Sequence, residues 1–220
     1  MRKPVCTPSQ PGDSTIQLRT TMTFQDAAPE VLTRREEILA AAADLFWANG
    51  YAGTTMSELA SAMNLRKASL YHHIDKKETL LYELSLDSLE RIEAAAEQAL
   101  GSESEPLEKL RALIVAHIVT ALSDCSKHAT MLTELRALTS EQRHEILRRR
   151  DAYDMLVEQT IGAAQKDGGL RTDVSAKLLR LALLNMLNWT IFWFRPDGTL
   201  SAELLGRTFA SIFIDGAGAP

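Results

Sequence analysis

The chain has 220 residues, 45% of them apolar and 6% aromatic, with a formal net charge of -5. That length buries a sizeable core, as one large domain or as a small one beside a larger one. The acidic total excludes a protein coated in DNA-binding charge and leaves room for a local basic patch. No apolar run approaches the roughly 18 residues of a membrane span. Arg2 and Lys3 precede no apolar segment of signal-peptide type. Cys6 and Cys125 stand in neither a CxxC nor a zinc spacing. The expectation is a cytoplasmic chain with free thiols, no membrane partner and no cofactor.

Residues 1–30 hold Pro4, Pro8, Pro11, Gly12 and Pro29 among Ser, Thr and Gln, and read as a disordered arm. From Thr33 the pattern turns helical. Thr33 with Glu36 forms a capping box, Ile38, Leu39, Ala42, Ala43, Leu45 and Phe46 make one apolar face, and Gly50 closes the helix. Thr54 is expected to cap a second helix with Met56, Leu59, Ala60 and Met63 inward. Asn64 supplies a left-handed turn residue. A short helix over 66–73 follows, then a long one from about Asp75 toward Leu100 carrying Leu80, Leu81, Leu84 and Leu89. Gly101 to Pro106 breaks it, and Leu107, Leu110, Leu113, Ile114, His117, Ile118, Ala121 and Leu122 form the next stripe. Further helices are expected over 127–138, 141–166, 174–194 and 201–214, the last capped by Ser201. Ala and Leu dominate the apolar set and recur at three and four, so the fold class is all-α.

Two short helices joined by a tight turn project the second one from a small core, and a major groove about 12 Å wide admits one helix. Over 66–73, Leu65, Leu70 and Ile74 face the core, leaving Arg66, Lys67, Ser69, Tyr71 and His72 to face outward. Between Arg66 and Lys77 the cations Arg66, Lys67, Lys76 and Lys77 stand against Asp75 alone. The helix after them offers its N-terminal amides to a phosphate. His72, His73 and Asp75 also have a metal reading, but neighbouring helical histidines point about 100° apart and do not converge on one ion. No metal site is expected.

Gly50, Tyr51, Thr54, Thr55, Met56, Leu59 and Ala60, then Asn64, Leu65, Arg66, Lys67, Ser69, Leu70, Tyr71, His72, His73, Ile74, Lys77, Glu78, Leu80 and Leu81, resemble the DNA-binding domain of TetR-family regulators. The resemblance runs in detail over 33–82. It implies an N-terminal three-helix helix-turn-helix domain over 31–78 and a C-terminal helical ligand-binding and dimerisation domain over 79–220. It also implies phosphate contacts from Thr55, Tyr71, His72 and Lys77. Lys67 and Ser69, with Arg66 beside them, are the candidates for reading bases. Two positions depart from the family's pattern: Asn64 stands where Gly is usual, and Arg66 stands where a Ser or Thr would cap the helix.

In the C-terminal half, Leu187, Asn188, Trp189, Trp193, Phe194, Arg195, Pro196, Asp197, Gly198, Leu200 and Ser201 are similar to a subgroup that regulates fatty-acid, sterol or aromatic-acid catabolism and binds acyl-CoA thioesters. The resemblance implies a homodimer through about 174–194 and 201–214, paired as a four-helix bundle, and a repressor released from a palindromic operator in double-stranded DNA. His117, Met131, Leu135, Tyr153, Asn185, Asn188 and Trp189 are the candidate ligand residues. Each also has a plain reading in the core or the dimer interface. Arg149 belongs to the run Arg143, Arg148, Arg149, Arg150, which is either a phosphate grip for CoA or a solvated face balanced by Glu141, Glu145 and Asp151. Two alternatives stay open: another hydrophobic ligand, and a helical enzyme acting on acyl-CoA. The second lacks any catalytic motif in the sequence, and no catalytic residue is assigned.

Overall fold

The computed structural model describes residues 33–218. The arm expected over 1–30 lies outside them. The described residues form nine α-helices: α1 Arg34–Asn49, α2 Met56–Ala62, α3 Lys67–Tyr71, α4 Lys77–Ser102, α5 Pro106–Ser123, α6 Cys125–Thr133, α7 Ser140–Lys166, α8 Ala176–Asn188 and α9 Ala202–Ala217. Short 3-10 turns follow α6 (Leu135–Ala137) and α8 (Trp189–Phe192). The fold is all-α. Among the described residues no helix is long and apolar enough to cross a membrane.

Local chemistry sets most of the helix ends. Thr33 and Glu36 form the expected capping box, and Gly50 closes α1 at φ 77°. The cap of α2 is Thr55, not Thr54: Thr55 accepts from the Glu58 amide while Glu58 reaches back to the Thr55 amide. Thr54 is buried, and its hydroxyl lies between the carbonyls of Leu45 (3.1 Å) and Gly50 (3.0 Å), where it satisfies the end of α1. Helix α4 begins at Lys77, two residues later than Asp75. The helix expected over 174–194 stops at Asn188, where the Thr190 hydroxyl donates to the Leu187 carbonyl (2.7 Å) and competes with the helical ladder.

Two apolar clusters hold the helices. One gathers Ile38, Phe46, Leu59, Leu70, Ile74, Leu80, Leu81 and Leu84 around α1 to α4, and extends to Met131, Leu138 and Ile146. The other joins α5, α7, α8 and α9 through Leu110, Leu113, Ile114, Val157, Leu183 and Phe213. At 26 residues, about 39 Å long, α4 contributes to both. Helices α5 and α9 cross closely because Gly206 has no side chain: a Cβ there would stand 3.1 Å from the Val115 Cα.

That crossing yields a stability test. Gly206→Ala should force the α5 and α9 backbones apart and destabilise the fold by about 1–3 kcal/mol, read from urea unfolding. Gly162→Ala in α7, where nothing lies within 4 Å of the added Cβ, should instead stabilise by about 0.5–1 kcal/mol. Equal shifts for the two variants would contradict a close crossing at Gly206.

Candidate nucleic-acid interface and buried polar cavity

The turn between α2 and α3 is set by Asn64, whose φ of 54° is the left-handed conformation expected of it. The Leu65 amide then donates to the Ala60 carbonyl (2.8 Å) and closes the turn. Leu70 and Ile74 are buried and seat α3 on the core. Arg66, Lys67, Tyr71 and His72 are exposed along its outer side, and Ser69 is half-buried. Arg66 makes no capping bond at the start of α3. The far end is held from α1: an Arg35 guanidinium nitrogen donates to the His73 carbonyl (3.0 Å), and the same side chain pairs with Glu83. Neither Arg35 nor Glu83 was legible as part of this site, because the contact joins residues far apart in sequence.

Two expected phosphate contacts have partners within the chain. Lys77 donates to the carbonyls of Tyr51 (2.6 Å) and Thr54 (2.7 Å), and its ammonium lies 4.1 Å from the centre of the Tyr51 ring. Burial lowers its pKa, opposed by the charge of Glu58. The side chain therefore staples the turn before α2 to the first turn of α4. Thr55 is exposed, but its hydroxyl serves the Glu58 amide, so a carboxylate already sits at the start of α2.

The second feature is a cavity of about 40 Å³ among α4 to α8, lined by His117, His128, Met131, Arg150, Tyr153 and Asn188 and closed by aliphatic side chains such as Leu89 and Leu184. His117 and His128 are both buried, 5.9 Å apart between ring centres. Desolvation is the main cause that lowers His117 to about 3, with repulsion from His128 adding to it. Desolvation likewise lowers His128 to about 4, against the hydrogen bond it donates to Asn188. Both rings are neutral at neutral pH, so each has one donor and one acceptor nitrogen.

The surrounding contacts then fix a single order of protons. The Asn188 Oδ1 accepts from Nε2–H of His117 (3.3 Å) and of His128 (3.4 Å). The Tyr153 hydroxyl donates to His117 Nδ1 (2.8 Å), and burial raises the Tyr153 pKa, keeping that proton on oxygen. The Ser88 hydroxyl donates to His128 Nδ1 (3.2 Å).

Of the candidate ligand residues, the structure brings His117, Met131, Tyr153 and Asn188 to this cavity. Leu135 packs half-buried against the cluster around α1 to α4. Arg149 is turned away and paired with Glu93 and Glu90. Asn185 is exposed and donates to the Leu181 carbonyl (2.7 Å). Trp189 is 63% exposed and packs at a tilt against Phe192, with ring centres 4.5 Å apart. Both lie on an outer apolar face with Leu178, Leu181, Leu204 and Ile212 rather than on the cavity wall.

Sequence reasoning missed Ser88 and His128, and from the arginine run it singled out Arg149 where Arg150 lines the cavity. A signal for Arg150 existed: Ile146, Arg150, Tyr153 and Val157 fall at four-three-four spacing on the buried face of α7. Among the described residues no group of His, Cys, Asp or Glu could hold a metal ion.

Residues 38–84 match the family described as bacterial regulatory proteins, tetR family. Residues 103–217 match the tetracyclin repressor-like C-terminal domain. The chain is 28% identical over 200 residues to the HTH-type transcriptional repressor KstR2 of Mycolicibacterium smegmatis, spanning 87% of this chain and 94% of that protein. The TetR family transcriptional regulator PfmR from Thermus thermophilus superposes with a TM-score of 0.75 at 37% identity, over 81% of this chain and 97% of that one. AibR in complex with isovaleryl coenzyme A and operator DNA superposes with a TM-score of 0.72 at 32% identity, over 82% and 97% of the two chains. Matched in both halves and carrying the helix-turn-helix described above, the chain belongs to the TetR family of transcriptional regulators.

Proposed function

We propose that the chain is a repressor that binds a palindromic operator as a homodimer and leaves it when a hydrophobic effector, an acyl-CoA thioester of lipid, sterol or aromatic-acid catabolism, enters the cavity. The observation that carries this reading is the position of α6. Its His128 and Met131 line the cavity. Thr130 between them donates its hydroxyl to the Ala43 carbonyl of α1 (3.4 Å). Helix α1 in turn holds the end of α3 through Arg35 and the His73 carbonyl. Cavity and recognition helix are thus joined by one short helix and one long one.

The cavity encloses far less space than an effector of this class fills. About 40 Å³ is far below the ~300 Å³ at the lower end of small-molecule pockets, so an effector enters by parting the walls. At nine residues α6 is the shortest wall helix, and any shift in it reaches α1 through Thr130. Release requires that the effector bind the two arrangements with different affinity. The arrangement it favours spaces the recognition helices away from the ~34 Å between successive major grooves. Two relatives support the assignment by what they are: KstR2 is a repressor, and AibR has been solved with isovaleryl coenzyme A and operator DNA together.

On the DNA side, Lys67 and Ser69, with Arg66, read bases, and Thr55, Tyr71 and His72 hold phosphates. Lys77 has one N–H left for a phosphate after its two bonds within the chain. The dimer forms through the outer faces of α8 and α9, where Leu178, Leu181, Trp189, Leu204 and Ile212 are exposed. Several large apolar side chains left exposed on two neighbouring helices are characteristic of an interface.

Three measurements test this. In fluorescence anisotropy on labelled DNA from the gene's own upstream region, an acyl-CoA thioester should release the protein and its free acid should not; tight binding unmoved by every thioester would remove this effector class. Lys67→Ala should weaken operator binding by about 1–3 kcal/mol and relax specificity at one base pair, leaving the unfolding midpoint unchanged, whereas Lys77→Ala should lower that midpoint. Equal loss for Lys67→Ala on operator and random DNA would end its base-reading role. Leu181→Glu should shift sedimentation from dimer to monomer, and an unchanged dimer would place the interface elsewhere.

A further inference from the structure

Of the arginines at 148 to 150, two are already committed. Arg148 pairs with Glu145 (2.7 Å) and Arg149 with Glu93 and Glu90. Arg150 turns to the cavity and lines it. It is half-buried, and among the described residues it makes no hydrogen bond and no ion pair within 4 Å. Asp154, the acid on the same wall, is taken by Arg180, which also lies 3.3 Å from Glu158. The cavity therefore contains one guanidinium that is partly removed from water and has no counter-ion in contact, the carboxylates of Asp154 and Asp151 acting on it only from a distance.

The remaining polar wall bears no charge. His117 and His128 are neutral, and Ser88, Tyr153 and Asn188 are spent on ordering them. A diphosphate or phosphomonoester buried here would bring two or more negative charges against a single cation, at a large desolvation cost. A neutral ester or alkyl terminus would leave the Arg150 N–H donors without a hydrogen-bond partner, with only the more distant charges of Asp154 and Asp151 opposite them. A single carboxylate matches both the charge and the planar fork of the guanidinium.

We propose that Arg150 is the anchor for one carboxylate of the effector, so that the end of the ligand seated among α5, α6, α7 and α8 is an acid group while any CoA phosphates remain outside. This rests on the cavity being the effector site. The carboxylate comes from one of two sources: a free carboxylic acid, or the far end of a dicarboxylic acyl group whose other end is the thioester. The bond to Arg150 adds a charge-assisted contact next to Tyr153, one helical turn along α7 and itself bonded to His117.

The test uses the full chain and two readouts, thermal shift for binding and anisotropy on upstream DNA for release. The ligands are short-, medium- and long-chain monocarboxylates, their CoA thioesters, and CoA half-thioesters of dicarboxylic acids of matching length. In the wild type, at least one carboxylate-bearing compound should bind about tenfold more tightly than the monocarboxylic thioester of the same length. Arg150→Gln should abolish that difference and Arg150→Lys should retain part of it, both with unchanged affinity for DNA in the absence of ligand. Preference for the free acid identifies the first source and replaces the thioester proposed above as the effector, while preference for the half-thioester identifies the second and keeps it. Equal binding of all compounds to wild type and Arg150→Gln, or no carboxylate bound at all, overturns the proposal. Carboxylate binding that depends on Arg150 but releases no DNA leaves the anchor standing and overturns the release mechanism instead.

Discussion

Five helices of the C-terminal half meet at one buried chain of hydrogen bonds, and their packing depends on its being complete. Ser88 comes from α4, His117 from α5, His128 from α6, Tyr153 from α7 and Asn188 from α8. The two imidazoles are kept neutral by burial, and one carbonyl oxygen, Oδ1 of Asn188, accepts from both. Each group in the chain has its partner supplied by a different helix. A displaced helix would strand a buried donor or acceptor, at about 1–3 kcal/mol each. Apolar packing alone tolerates small slides; a chain of hydrogen bonds between neighbouring helices does not. The junction therefore fixes the relative positions of these helices more sharply than the leucines around it.

That fixity matters because the junction lies beside the elements that reach the recognition helix. Ser88 sits on α4 eleven residues beyond its start at Lys77, and Lys77 holds the turn before α2 through the carbonyls of Tyr51 and Thr54. His128 sits on α6 two residues from Thr130, which is bonded to α1. Asp44, next to Ala43 on α1, has its pKa raised by burial and is hydrogen-bonded to Ser126 of α6, which opposes that rise. Two routes, α4 and the α6–α1 contact, run from the histidines toward α3, and they meet at Arg35, which pairs with Glu83 of α4. Neither contains a long loop that would absorb the strain.

The sequence made the helices legible where an end is chemically marked. Thr33 with Glu36, Gly50, Asn64 and Ser201 all stand where caps and turns require them. It failed by one residue where two adjacent side chains offer the same chemistry. Thr54 and Thr55 are both capping hydroxyls, and only the packing of Thr54 under α1 separates them. Arg149 and Arg150 are likewise alike as residues, and the 100° step between them sends one to Glu93 and the other to the cavity. Asn185 and Asn188 lie three apart in the same apolar stripe, yet α8 is apolar nearly all round, so periodicity could not say which side was inner. Ser88 and His128 carried no local signal: a buried serine within a leucine stripe becomes informative only when the histidine that it serves is known.

The end of α8 gives the final constraint. Asn188 is its last residue and faces the two histidines, while Trp189 begins the 3-10 turn and lies on the outer apolar face. The Thr190 hydroxyl, bonded to the Leu187 carbonyl, ties this segment to the end of α8. A group that draws Asn188 away from its histidines must rotate or translate this short segment, and Trp189 with it. In the proposed dimer Trp189 belongs to the seam between subunits. Occupation of the cavity would then act on the subunit interface and on α6 at once, so the separation of the two recognition helices and the support of each one would change together.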